Sequence, residues 1–256
     1  MPQPWTKIKR YVERNSARLL FRRPMTISGE LPYISFTFDD FPRTALLDGG
    51  RILNRYGASG TYYTALGLMG KGSPSGGLFV LDDLKRAIDG GHELGCHTHS
   101  HCHSWNTATD VFEDSIRKNR TAIAELLPGT EFRSFSYPIS EPRPMTKRTI
   151  AKYFESCRAG GQAPNVGTAD RNQLAAYFLE KVKGNIGMVK DVIDLNRREA
   201  GWLIFATHDI APHPSPFGCT PEFFEEVVRY AVSSGAQILP VASALTAICQ
   251  SEPAAP

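Results

Sequence analysis

The chain has 256 residues, of which 41% are hydrophobic and 21% charged, which is typical of a globular protein and excludes a disordered or fibrous chain. No apolar stretch reaches the roughly 18 residues that a membrane-spanning helix needs. The formal net charge is +3, but residues 1–23 hold seven basic residues and one acidic residue, so the rest of the chain is mildly acidic. An acidic body argues against nucleic-acid binding.

Short β-rich segments alternate with helical segments along the chain. The predicted strands are residues 33–38, 60–65, 93–96, 132–137, 202–207 and 237–239. The predicted helices lie at about 46–53, 81–88, 110–127, 147–154, 189–198 and 221–233, with a last one from 242 onward. This alternation predicts one parallel α/β domain at residues 31–250, preceded by a basic helical segment at residues 1–30.

The basic N-terminal segment has two interpretations. Apolar residues recur in it at roughly helical spacing, at Trp5, Ile8, Val12 and Leu19. This stripe either packs on the body as a surface helix or lets residues 5–23 contact an anionic membrane surface. The segment lacks the apolar core of a secretory signal, and the five cysteines have no paired spacing. We therefore expect a cytoplasmic protein, with peripheral contact at the inner membrane face as a further hypothesis.

Two adjacent carboxylates, Asp39 and Asp40, follow the first predicted strand. Strands disfavour aspartate and like charges repel each other, so this pair indicates a neighbouring cation. One carboxylate would ligate a metal ion while the other acts as a general base. The alternative interpretation is a helix N-cap, where aspartate is also favoured.

Histidines are concentrated in one short segment, since five of the seven lie between residues 92 and 103. Neutral imidazole is the commonest metal ligand in proteins and suits Zn²⁺. On a helical turn His97 and His101 would share a face, whereas on an extended strand the odd-numbered histidines from 97 to 103 would do so. The cluster therefore predicts metal binding and leaves open which pair of histidines binds.

Two further segments follow predicted strands. His208 and Asp209 come directly after strand 202–207, and a histidine beside an aspartate is a candidate general acid or base. The alternative for His208 is a capping role at the strand end. Residues 132–140 by themselves predict only a strand that ends in a proline turn.

Together these segments resemble the polysaccharide deacetylases of the NodB-homology group, which are metal-dependent carbohydrate esterases. The resemblance runs from about residue 33 to residue 248. Residues 37–40 (TFDD) match the family's first motif, and residues 97–101 (HTHSH) match its H-[ST]-x-x-H motif. The resemblance implies a single-domain, distorted (β/α)7-type barrel.

The resemblance also implies roles for individual residues. Asp39 would be the catalytic base, and His208 would protonate the leaving group. The metal ligands would be Asp40, His97 and His101. The expected metal is a divalent transition ion, with Zn²⁺ preferred and Co²⁺, Ni²⁺ or Mn²⁺ as alternatives.

The third motif of the family departs from its usual pattern in this sequence, and a family variant with a Phe-Ala-Tyr-Pro core is closer. Ser136 stands where the family has an arginine, and Ile139 stands where it has an aromatic residue. The arginine that steadies Asp39 would then come from elsewhere, with Arg158 as the candidate. Tyr137, Ile139 and Arg158 are the expected contacts to substrate or oxyanion, the latter through a backbone N–H near Ile139.

The implied activity is removal of acetyl groups from N-acetylated or O-acetylated sugars or polysaccharide precursors. One alternative is an amidohydrolase acting on a small amide or formamide, since His97 and His99 also match the H-x-H pair of that class. Another is a catalytically inactive carbohydrate-binding protein, because the family's third-motif arginine and its Asp-x-x-Asp-Trp motif are missing.

Overall fold

The computed structural model describes residues 15–27 and 29–251. Its central sheet contains seven parallel strands in a row. In chain order they are β1 (Tyr33–Phe38), β2 (Gly60–Thr64), β3 (Glu93–Cys96), β4 (Ser134–Ser136), β5 (Ser156–Arg158), β6 (Tyr177–Phe178) and β7 (Trp202–Thr207). A short strand, β8 (Gln237–Ile238), pairs in parallel with the first half of β1. Two small antiparallel ribbons pair Pro24–Ile27 with Gly167–Asp170 and Gly72–Ser73 with Gly76–Gly77.

Helices cover most of the connections between successive strands. They are α1 (Arg51–Arg55), α2 (Leu81–Asp89), α3 (Thr109–Leu126), α4 (Pro144–Ile150), α5 (Ile186–Arg198), α6 (Pro221–Ser233) and α7 (Val241–Ser251). A π-helical turn, Ala45–Gly50, leads into α1. No helix within residues 15–27 and 29–251 combines the length and hydropathy that a bilayer crossing demands.

The seven strands curl into a distorted barrel. Their spatial order is β6-β7-β1-β2-β3-β4-β5, and every neighbouring pair is parallel. The ring closes where the chain leading into β6 pairs with β5. There the N–H of Leu174 donates to the carbonyl of Cys157 at 2.9 Å, and its carbonyl accepts from the N–H of Ala159 at 2.8 Å. The predicted single-domain (β/α)7-type barrel is confirmed.

The most apolar strand, β7, is buried on both faces, as parallel strands in α/β folds are. Leu203 and Phe205 pack in the larger apolar cluster, where Phe205 stacks on Phe36 with ring centroids 5.4 Å apart. Trp202 and Ile204 point to the other face, where they join the cluster that includes α7. Because α7 packs there, it covers the end of the barrel at which the strands begin.

The carboxylate of Glu93 joins α7 to the amino ends of the strands. Its Oε2 accepts hydrogen bonds from Thr61 Oγ1 at 2.8 Å and from the N–H of Ala242 at 2.9 Å. Its Oε1 accepts one from Ser134 Oγ at 2.6 Å. Burial raises the pKa of Glu93 above its ordinary value. Glu93 therefore supplies an acceptor to the first turn of α7 and to two strands at once.

We expect Glu93→Ala to lower the free energy of unfolding by about 2 kcal/mol, because two hydroxyls and a helix N–H lose their acceptor. Glu93→Gln keeps an acceptor and is the matched control. Since the folded pKa is raised, the wild type loses stability as the pH rises from the ordinary value of 4.5 through the folded value, and Glu93→Gln lacks this loss. Urea denaturation between about pH 4 and pH 8 measures both effects. Equal stability of Glu93→Ala and wild type would contradict this role.

Several elements differ from their predicted bounds, and two of these differences have a local reason. Helix α4 begins at Pro144, three residues earlier than predicted, because Pro144 starts the first turn and Thr146 Oγ1 accepts from the N–H of Arg143 at 3.0 Å. Residues 156–184, which show no readable pattern in the sequence, contain β5, β6 and the strand Gly167–Asp170. Strands of two to four residues are too short to display a period.

The N-terminal segment only partly follows its prediction. Residues 1–14 lie outside the described residues, and residues 15–19 are helical. Ala17 is buried, and its carbonyl accepts a hydrogen bond from Nζ of the buried Lys147 at 2.7 Å, whereas Leu19 is 76% exposed. The apolar stripe therefore does not pack on the body at Leu19. Pro24–Ile27 form a strand, so the helix predicted over residues 1–30 is wrong there.

Candidate metal centre and active site

Parallel strands bring their carboxyl ends to one rim of a barrel, and side chains that follow those ends meet there. Asp39 and Asp40 follow β1, His97 follows β3, and His208 follows β7. All four, with His101, line one cleft of about 750 Å³. The residues singled out in the sequence as reactive therefore share a single site.

Asp40, His97 and His101 form a compact group of donor atoms. One ligand atom from each lies within 4.8 Å of the others. Oδ1 of Asp40 is 3.7 Å from Nε2 of His97 and 3.2 Å from Nε2 of His101. This oxygen is buried and has no hydrogen-bond partner among the described residues. A carboxylate and two imidazoles form a donor set typical of Zn²⁺ and related ions, so the group fits a divalent metal ion.

The imidazole of His97 is held in the tautomer that ligation requires. Its Nδ1 lies 2.8 Å from the carbonyl oxygen of Ser136, which can only accept, so Nδ1 carries the proton. Burial lowers the pKa of His97 to about 4, so the ring is neutral at neutral pH. The lone pair on Nε2 is thereby left free on the side of Asp40.

The histidine segment is a loop and matches neither the helical nor the extended interpretation. Thr98 and His101 have φ angles of 60° and 52°, in the left-handed region. Oγ1 of Thr98 accepts a hydrogen bond from the N–H of Cys102 at 2.8 Å, which closes the turn. This turn brings the rings of His97 and His101 to 5.0 Å between centroids.

His99 does not belong to the group that includes His97 and does not line the cleft. Its ring lies against Gly67, where an added Cβ would be 2.6 Å from the imidazole. Within the described residues the H-x-H pair therefore does not assemble around one metal position.

Asp39 is buried beside Arg158, which lies on β5. Nη2 of Arg158 contacts Oδ1 of Asp39 and also donates to Ser136 Oγ at 2.6 Å. Ser136 Oγ in turn donates to the same Asp39 oxygen at 3.1 Å. Burial alone would raise the pKa of Asp39, but the positive charge of Arg158 and its hydrogen bond outweigh burial and hold that pKa well below its usual range. Asp39 is therefore ionised at neutral pH, and Arg158 lies at the carboxylate that it was expected to steady.

The remaining expected contacts differ in their positions. Ile139 lines the cleft and has a φ of 61°, a strained conformation for a β-branched residue that typically marks functional sites. The side chain of Tyr137 is buried in the barrel wall, where its hydroxyl donates to the carbonyl of Asn172 at 3.0 Å. Tyr137 does not line the cleft, so its side chain does not occupy the substrate-contacting position we expected.

The sequence analysis did not identify Glu180, an acidic residue of the cleft. It lies in the turn Leu179–Val182 after β6 and lines the cleft with His208. Burial raises the pKa of Glu180, and its Oε2 is buried without a hydrogen-bond partner among the described residues. No sequence signal pointed to Glu180, because it lies within the region that has no readable pattern.

The fold is similar to those of several solved carbohydrate esterases and deacetylases. A family 4 acetyl xylan esterase from Clostridium thermocellum, in complex with a cobalt ion, has a TM-score of 0.60 and 21% identity over 84% of this chain and 91% of that chain. The peptidoglycan deacetylase PdaC from Bacillus subtilis has a TM-score of 0.57 and 17% identity, with coverage of 86% and 92%. A family 4 carbohydrate esterase from Streptomyces lividans, in complex with acetate, has a TM-score of 0.56 and 15% identity, with coverage of 80% and 91%. At these TM-scores and at identities below 25%, the similarity shows a shared fold and nothing more.

The sequence itself matches a family model. No curated protein matches the chain. The model described as polysaccharide deacetylase matches residues 28–156, which is half of the chain. The matched segment contains Asp39 and the group formed by Asp40, His97 and His101, whereas Arg158 and His208 lie beyond it. The chain therefore belongs to the polysaccharide deacetylase family, hydrolases that act on acetyl groups.

Proposed function

We propose that this protein is a metal-dependent hydrolase that removes acetyl groups from N-acetylated or O-acetylated sugars or polysaccharide precursors. Asp40, His97 and His101 would hold a divalent transition metal ion, with Zn²⁺ the first candidate. The observation that carries the proposal is the buried, unpartnered oxygen of Asp40 facing two imidazoles beside a second, ionised carboxylate. A metal ion bound there would polarise the acetyl carbonyl and lower the pKa of a coordinated water.

Asp39 is the proposed general base. It lines the cleft, directly precedes the proposed ligand Asp40 in the chain and is ionised because Arg158 compensates for its burial. It can therefore accept the proton of the attacking water at neutral pH. Arg158 contributes by holding the carboxylate in its charged form and in one orientation through the Ser136 hydroxyl.

His208 is the proposed general acid. It lies on the cleft wall formed after β7, and its ring packs on Phe217. From that position it would donate a proton to the departing amine or alcohol as the bond to the acetyl carbon breaks. The backbone N–H of Ile139 is the proposed protein donor to the oxyanion, since this residue lines the same cleft in a strained conformation.

The two competing functions are less well supported. An amidohydrolase with an H-x-H pair needs His97 and His99 at one metal ion, but the group in the described residues contains His101 in place of His99. An inactive binding protein would have no reason to keep Asp39 ionised next to a metal-binding group. The arginine missing from the third motif is supplied by Arg158 from the neighbouring strand.

We expect the purified protein to hold about one transition metal ion per chain. His97→Ala should lose this metal and release no acetate from acetylated oligosaccharides, because a buried ligand is removed. His99→Ala should keep both properties and is the matched control. Elemental analysis without added metal, together with an acetate-release assay and circular dichroism, measures these effects. Metal-free wild type that also fails to take up added Zn²⁺ would contradict the proposal, and metal loss in His99→Ala would favour the amidohydrolase.

A further inference from the structure

The loop between β7 and α6, residues 208–220, is organised around a buried carboxylate. Asp209 is 3% exposed. Its Oδ2 accepts a hydrogen bond from the N–H of Ser215 at 2.7 Å, and its Oδ1 accepts one from Ser215 Oγ at 2.5 Å. Its carbonyl oxygen accepts from the N–H of Cys219 at 3.0 Å. Asp209 therefore connects the middle and the end of the loop, by hydrogen bonds, to the segment that directly follows β7 and contains His208.

The backbone at Gly218 passes directly against Asp209. A Cβ at position 218 would overlap the carbonyl oxygen of Asp209 and lie 2.5 Å from its carboxyl carbon. No other residue fits this close approach without moving the loop. The contact fixes the position of the preceding residue, Phe217.

The ring of Phe217 is held in the cleft without being buried. The carbonyl of Phe217 accepts hydrogen bonds from the N–H of His208 at 3.2 Å and from Thr207 Oγ1 at 3.3 Å. The ring packs against the imidazole of His208, with centroids 5.4 Å apart and an interplanar angle of 47°. It is nevertheless 46% exposed and lines the cleft. Packing in the hydrophobic core does not explain the position of Phe217. Its large ring stays exposed although hydrogen bonds to a buried segment hold its backbone in place.

The same anchor also contacts a second segment that lines the cleft. Oγ of Ser215 lies 3.3 Å from Oγ of the buried Ser75, which belongs to the turn of the small ribbon Gly72–Ser73 and Gly76–Gly77. Both this turn and Phe217 line the cleft. Contacts of Ser215 with both Asp209 and Ser75 therefore hold the loop in position. As a result, the exposed face of the Phe217 ring has a fixed position beside His208.

We propose that Phe217 binds the sugar of the substrate by stacking on the C–H face of a pyranose ring, and that Asp209 is the positioning residue that holds it there. The inference rests on the proposed function and names the part of the substrate that this wall recognises. A pyranose presents C–H groups on one face, and aromatic side chains bury such apolar surface efficiently. His208 is the proposed acid for the leaving group, and Phe217 packs on it. Phe217 would therefore contact the sugar, which is the leaving group, while the acetyl group would lie beside the proposed metal ligands.

Two substrates separate sugar recognition from chemistry. An acetylated oligosaccharide carries both the acetyl group and the sugar, whereas ethyl acetate carries an acetyl group on a leaving group that has no ring. We expect Phe217→Ala to raise the KM for the oligosaccharide about tenfold with a smaller change in kcat. The KM for ethyl acetate should stay within about twofold, because it has no ring to stack on Phe217. Phe217→Tyr keeps the ring face and should behave as the wild type, while Phe217→Leu, which is apolar without a ring, should resemble Phe217→Ala.

Asp209→Asn tests the positioning role. Asparagine keeps the size of the side chain but removes its charge and one of the two oxygens that accept hydrogen bonds from Ser215, so it should raise the KM for the oligosaccharide in the same direction as Phe217→Ala. The double variant Asp209→Asn with Phe217→Ala should have nearly the same KM as Phe217→Ala alone, because both changes remove the positioned ring of Phe217. Val111→Ala is the control, since Val111 is exposed on α3 and does not line the cleft.

Equal effects of Phe217→Ala on both substrates, or an unchanged KM for the oligosaccharide, would overturn the inference. Additive effects of the two changes would overturn the positioning role of Asp209. A wild type that hydrolyses neither substrate would instead refute the proposed function, so the two failures are distinguishable. Calorimetric binding of the deacetylated oligosaccharide to Asp39→Asn, with and without Phe217→Ala, should give the same tenfold difference without catalysis.

Discussion

Asp39→Asn should reduce kcat/KM for acetate release by about a thousandfold while the metal stays bound. Asparagine has nearly the same shape and still accepts hydrogen bonds from Arg158 and Ser136, but it cannot take a proton from water. Asp39 is not part of the group formed by Asp40 and the two histidines, so the substitution leaves the proposed metal ligands in place. Acetate release and elemental analysis on the same preparation measure both expectations.

Ser136→Ala is the matched control for this substitution. It removes a hydroxyl that donates to the same oxygen of Asp39 at 3.1 Å and leaves the carboxylate in place. We expect it to cost less than about tenfold in kcat/KM, because Arg158 still holds Asp39. Loss of the metal in Asp39→Asn would identify Asp39 as a ligand, and nearly full activity would exclude it as the base.

Arg158→Met should lower the free energy of unfolding by about 3–5 kcal/mol. The guanidinium and the carboxylate of Asp39 are both buried, and removal of the cation leaves an ionised group without its counter-charge. Methionine preserves much of the apolar volume between Tyr63 and Phe178, over which the guanidinium carbon lies at 5.1 and 5.7 Å from the ring centroids. Urea denaturation at neutral pH measures the loss.

A second variant separates lost charge balance from lost packing. Adding Asp39→Asn to Arg158→Met should recover part of the stability, because the uncompensated charge is gone, although the double variant stays inactive. Arg55→Met is the surface control, since Arg55 pairs with Glu225 at 2.6 Å but is 54% exposed and should cost at most about 1 kcal/mol. No recovery in the double variant would show that Arg158 stabilises the fold by packing alone.

The sequence alone reveals those reactive groups whose residues lie close together in the chain. Asp39 and Asp40 are adjacent, and His97 and His101, the two histidines proposed as metal ligands, lie four positions apart, so both motifs are visible without a structure. Spacing did not decide between the helical and the extended interpretation of the histidine segment. The left-handed conformations of Thr98 and His101 exclude both interpretations, because they fold the segment into a turn that brings His101 to His97.

The sequence by itself therefore determined the class of fold and most of the reactive residues of the candidate site. Alternating strands and helices predict a parallel sheet, and parallel strands place the residues that follow them at one rim. Only the tertiary structure decided how that site is completed. Arg158 contacts Asp39 across 119 residues of chain, and Glu180 and Phe217 enter the same cleft from later strands. Such contacts depend on barrel closure and burial, which bring distant residues together without leaving a local pattern in the sequence.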